Sequence, residues 1–289
     1  MIATLLASLT EWFRSRRPVF CIPRCRRRSE RYASPLSVEV LETRCLPSST
    51  TTVPPLAEIP PAIALMDILF AAQPNKGDPT GVFVGDSISY YFAYGPGAPV
   101  WAAYMAPLGM VDYGVGGQTT QSLLFQLSLG QLAGIHPAVV VLDIGGNNLL
   151  QGDTPQATAA GVLADVAMIH QYQPQAQVVV LGILPGEQSP SNPYRAEGAQ
   201  TNQLVSQMLA SDPHVTYLDL GSIFLQPDGT ISSSMMFDYI HPTEQGYLDL
   251  TNALLPTLES FLFPNVSVLA LPNNAPMYGP LSPLALLPS

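Results

Sequence analysis

Four short blocks of this 289-residue sequence combine residue types that carry out acyl transfer. Gly85-Asp86-Ser87-Ile88-Ser89 sets a serine after an apolar run. Gly114-Val115-Gly116-Gly117-Gln118-Thr119 and Gly145-Gly146-Asn147-Asn148 are glycine-rich turns that carry amide side chains. Asp238-Tyr239-Ile240-His241-Pro242 sets an acid three residues before a histidine. A serine hydroxyl is a weak nucleophile until a base takes its proton, and that base needs a third group to hold one tautomer. Ser87 suits the nucleophile, His241 the base and Asp238 the orienting carboxylate. The oxyanion formed on attack needs donors already in place. The candidates are the backbone N–H groups of Ser87 and Gly117 and the side-chain amide of Asn147. Any one block alone reads as a turn or a cap; the four together, in order, read as one site.

Strand ends must bring these blocks together. Short β-branched runs at 82–84, 110–111, 138–143, 177–182 and 215–219 predict five strands, the third a continuous apolar run of the kind buried on both faces. Helical stretches fall between and after them at 118–132, 154–172, 195–209 and 243–261, the second opening with Thr154 as N-cap and Pro155 in the first helical position. Strands alternating with helices across short connections predict a three-layer α/β/α domain around a parallel sheet. In such sheets ligands bind beyond the carboxyl ends of the strands, and the first three blocks follow three of the predicted strands.

The blocks, in this order, resemble the GDSL or SGNH hydrolases, and within them the catalytic α subunits of intracellular platelet-activating-factor acetylhydrolases. The likeness covers residues 80–262 and extends to Gly117-Gln118-Thr119-Thr120, Gln173-Pro174-Gln175-Ala176, Asn192-Pro193-Tyr194-Arg195 and Met236-Phe237-Asp238. It implies a flavodoxin-like five-stranded fold and ester hydrolysis. It also implies Ser87, Asp238 and His241 as triad and Ser87, Gly117 and Asn147 as oxyanion hole, with no metal or organic cofactor. Two departures stand out. Gly146 occupies a place where the family usually has Thr, which is expected to loosen the turn that aims Asn147. Asp112 or Tyr113 stands where an Asn is frequent, which puts one supporting hydrogen bond in question.

Charge divides the chain near residue 50. Nine of its 11 basic residues precede that point, beside four acids; the remainder keeps Lys76 and Arg195 against seventeen acids. A body so poor in cations has almost nothing to hold a polyphosphate backbone, which excludes nucleic acid as partner and favours a neutral ester. All three cysteines, Cys21, Cys25 and Cys45, also precede residue 50, with no second ligand pair for a zinc site. The organisation expected is a basic segment over 1–47, a Pro/Ser/Thr linker over 48–61, the hydrolase domain over 62–263 and a proline-rich apolar tail over 264–289. Leu41-Glu42-Thr43-Arg44-Cys45-Leu46-Pro47-Ser48 resembles a motif near the start of some exported bacterial proteins, so export is expected, with a cytoplasmic location as the alternative. No run is long enough for a transmembrane span. A homo-oligomer is compatible with the sequence.

The glycines at 114–117 do not form the dinucleotide fingerprint, and Ser89 breaks the Gly-x-Ser-x-Gly elbow. His136, His170 and His214 read as surface or structural residues, and Arg195 as the partner of an acid around the site, with contact to substrate as the alternative. Three functions follow: a serine esterase for short acyl groups, most simply acetyl; a carbohydrate O-acetyl esterase; and a non-catalytic binding module on the same fold.

Overall fold

The computed structural model describes Ile59, Pro61–Ala71 and residues 77–264; the basic segment with its export motif, most of the linker and the tail beyond Pro264 lie outside the described residues. Five strands, β1 (Gly81–Gly85), β2 (Met110–Asp112), β3 (Val139–Asp143), β4 (Gln177–Leu181) and β5 (Val215–Leu218), pair in parallel in the order β2-β1-β3-β4-β5. This is the flavodoxin-like order, whose switch point lies between β1 and β3. Every residue of β1 and β3 is buried, which is why both read as unbroken apolar runs.

The two-residue period of the strands divides the core. Phe83, Val139, Val141, Val179 and Leu181 face one layer, built by α2 (Ser87–Tyr94), α3 (Ala98–Val100) with its π-helical continuation Trp101–Met105, and helix α8 (Glu244–Leu262). Val82, Val84, Val140, Leu142, Val178 and Val180 face the other, built by α4 (Thr120–Ser128), α6 (Pro155–Tyr172) and α7 (Pro193–Leu209). Each fully buried Val or Leu contributes about 1.5–3 kcal/mol, so packing on both faces fixes where the strand ends stop. Between these, α5 (Gly146–Leu150) follows β3 directly.

Three local differences from the sequence reading have physical causes. The predicted helix over 118–132 begins at Thr120, behind a capping box of Thr119 and Ser122, and ends at Ser128, because Gly130 turns left-handed at φ +88° and stops it. Helix α7 starts two residues early, capped by Asn192 with Pro193 in the first position. An additional helix, α1 (Pro61–Ala71), precedes the sheet, and with it Ile59 and Ala64 pack on Phe125 of α4. Pro61 opens this helix at the one position where a missing N–H costs nothing.

Candidate active site

β1 ends at Gly85, Asp86 caps α2, and Ser87 is the first residue of that helix. Asp86 Oδ1 accepts the N–H of Ile88 at 2.9 Å, which fixes the strand-to-helix turn and presents the Ser87 hydroxyl at the sheet's carboxyl edge. His241 arrives from the opposite end of the sequence. Its Nε2 lies 2.8 Å from Ser87 Oγ, and its Nδ1 lies 2.6 Å from Asp238 Oδ2. An ionised carboxylate only accepts, so Nδ1 carries the proton and Nε2 is left to accept from the serine.

The segment bearing both residues is a closed loop. Phe237 N–H donates to the His241 carbonyl at 3.1 Å, and Asp238 Oδ1 accepts the N–H groups of Ile240 and His241 at 3.0 and 2.7 Å. Tyr239 between them is left-handed at φ +64°, which folds the carboxylate back over the imidazole. Partial burial pushes the Asp238 carboxyl up, but the His241 ring and these two amides outweigh it and hold its pKa below the ordinary carboxylate value. The ring plane of His241 is set by Phe237, stacked at 5.8 Å, and by the edge of Tyr91 at 5.0 Å.

The oxyanion candidates come from the neighbouring strand ends. Gly116 lies close enough to Ser87 that a Cβ on it would sit 4.0 Å from the serine's Cβ, and Gly117 holds φ +80°. The Asn147 amide donates to the Gln118 carbonyl at 2.9 Å and to Asp86 Oδ2 at 3.2 Å. The structure thus brings Ser87, Asn147, the Gly116–Gly117 turn, His241 and Asp238 to one place. The N–H groups of Ser87 and Gly117 donate to no partner among the described residues.

Gly146 has Tyr194 against it. A Cβ there would lie 3.0 Å from the Tyr194 hydroxyl, so this tyrosine fills the room a threonine side chain would take. At Asp112, Ser89 Oγ donates to Oδ1 at 2.7 Å. Burial drives the Asp112 carboxyl up to about 7. Asp86 and Asp143 lie against each other under the site, and burial first, then for Asp143 the charges of Asp86 and Asp112, raises both.

Arg195 differs from the expectation of an acid partner. Its guanidinium donates to the carbonyls of Gly186, Glu187 and Gly229 at 3.5, 3.2 and 2.8 Å. The other histidines stand apart from the site: His136 beside Asp78, His170 beside Asp212, and His214 beside Gln177. Among the described residues there is no cluster of three His, Cys, Asp or Glu fit to hold a metal, and no helix long and apolar enough to cross a membrane.

A cavity of about 80 Å³ opens over Ser87, His241 and Asn147, walled by Asp143, Ile183, Leu184 and Tyr194. Asp143 and Tyr194 were not singled out as site residues by sequence. The signal for Tyr194 was its place in Asn192-Pro193-Tyr194-Arg195; Asp143 closes β3 two residues before the third block.

Residues 83–248 match the GDSL-like Lipase/Acylhydrolase family, more than half of the chain. The chain belongs to this family. As a GDSL acylhydrolase it is an ester hydrolase, and the relatives agree. It is 38% identical over 185 residues to human platelet-activating factor acetylhydrolase IB subunit alpha1, covering 64% of this chain and 78% of the relative. The rat alpha1 subunit is 36% identical over 208 residues, 72% of this chain and 87% of that one. Among solved structures, a GDSL-like lipase from Bacteroides thetaiotaomicron aligns with TM-score 0.54 at 16% identity, over 69% of this chain and 97% of its own. A member of the lipolytic G-D-S-L family from Veillonella parvula aligns with TM-score 0.53 at 17% identity, over 64% and 98%. These GDSL structures share the fold of the acylhydrolase described here.

Proposed function

We propose that the protein is a serine esterase for short acyl, most simply acetyl, esters, acting through Ser87, His241 and Asp238 with an acyl-enzyme intermediate. The observation that carries this reading is the unbroken chain Asp238–His241–Ser87, with contacts of 2.6 and 2.8 Å. Ser87 Oγ attacks the ester carbonyl while His241 Nε2 takes its proton, and Asp238 stabilises the imidazolium that forms. The N–H groups of Ser87 and Gly117 receive the oxyanion. The Asn147 amide joins them by giving up the longer of its two contacts, the 3.2 Å bond to Asp86. His241 then returns the proton to the departing alcohol, and water repeats the sequence on the acyl-enzyme.

The cavity size supports a short acyl group. At about 80 Å³ it is far below the ~300 Å³ at which pockets begin to enclose drug-sized ligands. The names of the acetylhydrolase relatives point the same way. A larger cleft of about 530 Å³ shares Ile183, Leu184 and Tyr194 with the cavity and adds Asn202, Asp219 and Ser222. Its lining mixes these polar groups with Pro185, Pro190 and Leu225, leaving room for an alcohol beyond the acyl cavity, and the carbohydrate O-acetyl ester is kept as the second reading. The test is hydrolysis of p-nitrophenyl acetate and covalent labelling by a fluorophosphonate. Both should vanish in Ser87→Ala, and an unimpaired Ser87→Ala enzyme refutes the triad. Comparison of acetylated xylan with a short-chain phospholipid analogue then separates the two alcohol classes.

A further inference from the structure

A buried hydrogen-bond chain reaches the oxyanion side of the site from a helix that precedes the family-matched residues. Helix α1 ends before residue 83, where the match begins, and its Ile63, Ala64 and Ile68 pack against Phe125 and Leu129. Asp67 of this helix is buried, and its Oδ1 accepts from Gln118 Nε2 at 2.7 Å. The same nitrogen donates to Gln126 Oε1 at 2.6 Å, and Gln126 in turn donates to the Tyr113 carbonyl at 3.1 Å. Both hydrogens of the Gln118 amide are therefore committed, and its side chain has one orientation.

The backbone of Gln118 is tied to the site on both sides. Its N–H donates to the Val115 carbonyl at 3.2 Å, closing the turn whose third residue is Gly117. A left-handed third position requires glycine in such a turn. Its carbonyl accepts the Asn147 amide at 2.9 Å. Ile63 of α1 lies against the same turn, its Cδ1 3.4 Å from where a Cβ on Gly117 would be. A buried carboxyl gives up its hydration, so a group held there needs compensating hydrogen bonds. Here Asp67 Oδ1 is compensated by the residue that joins the two proposed oxyanion donors.

We infer that Asp67 is a positioning residue for the oxyanion hole: it fixes Gln118, and through Gln118 the Gly117 turn and the Asn147 amide. The inference rests on the esterase reading above. Removing a single oxyanion donor outright costs about 10²–10³ in kcat, so loosening the support of two costs at least about tenfold. The test uses the full chain and p-nitrophenyl acetate, with rates expressed per fluorophosphonate-titrated site so that misfolded protein is not counted.

Asp67→Ala is expected to lower kcat about tenfold or more with KM within about twofold, because the defect lies in the transition state. Asp67→Asn, whose amide oxygen still accepts from Gln118, should return to within about threefold of the parent. Wild-type kcat in Asp67→Ala, or an Asp67→Asn enzyme as impaired as Asp67→Ala, overturns the inference. Should Asp67→Ala fail to fold, Gln118→Met removes the same bond from the other side. A selective loss of kcat there supports the inference, and wild-type kcat overturns it. Failure of the esterase reading is a separate outcome: the parent protein would go unlabelled, or Ser87→Ala would keep its activity.

Discussion

Glu187 donates its backbone N–H to the carbonyl of Tyr239 across 2.7 Å, and both residues are left-handed, at φ +68° and +64°. Each such non-glycine position costs about 1 kcal/mol or more and persists only where surrounding contacts hold it. Tyr239 is held by the closed loop around Asp238 and His241. Glu187 is held by Arg195, whose guanidinium gathers the carbonyls of Gly186, Glu187 and Gly229. One of the two cations beyond residue 50 thus braces the loop that carries the proposed base.

A lysine cannot reproduce this brace, because a single ammonium lacks the planar fork that spans three carbonyls. We expect Arg195→Lys to lower kcat/KM for p-nitrophenyl acetate about tenfold and Tm by a few degrees, since hydrogen bonds from a charged donor contribute roughly 1.5–3 kcal/mol. Steady-state kinetics with thermal melts measure both. Parent-like values in Arg195→Lys would show that the loop holds its shape without the guanidinium.

Gly146 and Tyr194 share one space. Gly146→Thr, which restores the residue common in the family, puts a branched side chain against the Tyr194 hydroxyl, 3.0 Å from the new Cβ. Overpacking of this kind costs about 1–3 kcal/mol and displaces the turn ahead of Asn147. The single variant should lose activity and stability, and adding Tyr194→Phe should recover part of both. A double variant no better than Gly146→Thr alone would contradict the shared-space account.

How much of this was legible follows from how local each signal is. Ser87, Gly117, Asn147 and the Asp238/His241 pair stand just past strands or within a five-residue loop, so type and spacing already point to one end of the sheet. Arg195 points toward an acid in the sequence because a sequence displays carbonyls nowhere, and its acceptors at Gly186, Glu187 and Gly229 are brought together only by the fold. Helix α1 hid behind Pro60-Pro61, which resembles a linker until Pro61 is recognised as a first helical residue, and its Leu65 and Leu69 are exposed, which blurs the apolar stripe. The bond from Asp67 to Gln118 joins residues 51 apart, and no local pattern announces it.

Buried acids also set the response of stability to pH. Burial raises Asp67 and Asp112 to about 7, and raises Asp86, Asp143 and Asp165 as well. The folded state therefore holds protons that the unfolded chain has released above its own carboxyl pKa, near 4. Stability from these groups is present at low pH and is lost as pH rises from about 4 through about 7. Asp238, lowered when folded, acts in the opposite sense and only toward the acid end. We expect Tm to fall by about 5 °C or more between pH 5 and pH 8, and to fall less in Asp112→Asn, which still accepts from Ser89. A Tm that is flat or rises across this interval would refute the assignment of these acids.

Asp238→Asn tests the proposed orienting role of the carboxylate apart from the nucleophile. An asparagine keeps an oxygen for the Ile240 and His241 amides, so the loop closes as before. What it removes is the charge opposite the imidazolium and the preference for a proton on Nδ1. In a triad that loss costs as much as ~10⁴ in kcat. Asp238 is 43% exposed at its side chain, and water reaching it weakens the field it exerts on His241. The expected loss is therefore smaller, roughly 10²–10³, with melting unchanged within a few degrees. Fluorophosphonate labelling of Ser87 should slow in parallel, because it too needs His241 to take the serine proton. Labelling at the parent rate alongside a large loss of kcat would confine Asp238 to deacylation, and parent-like rates in both would remove it from the triad.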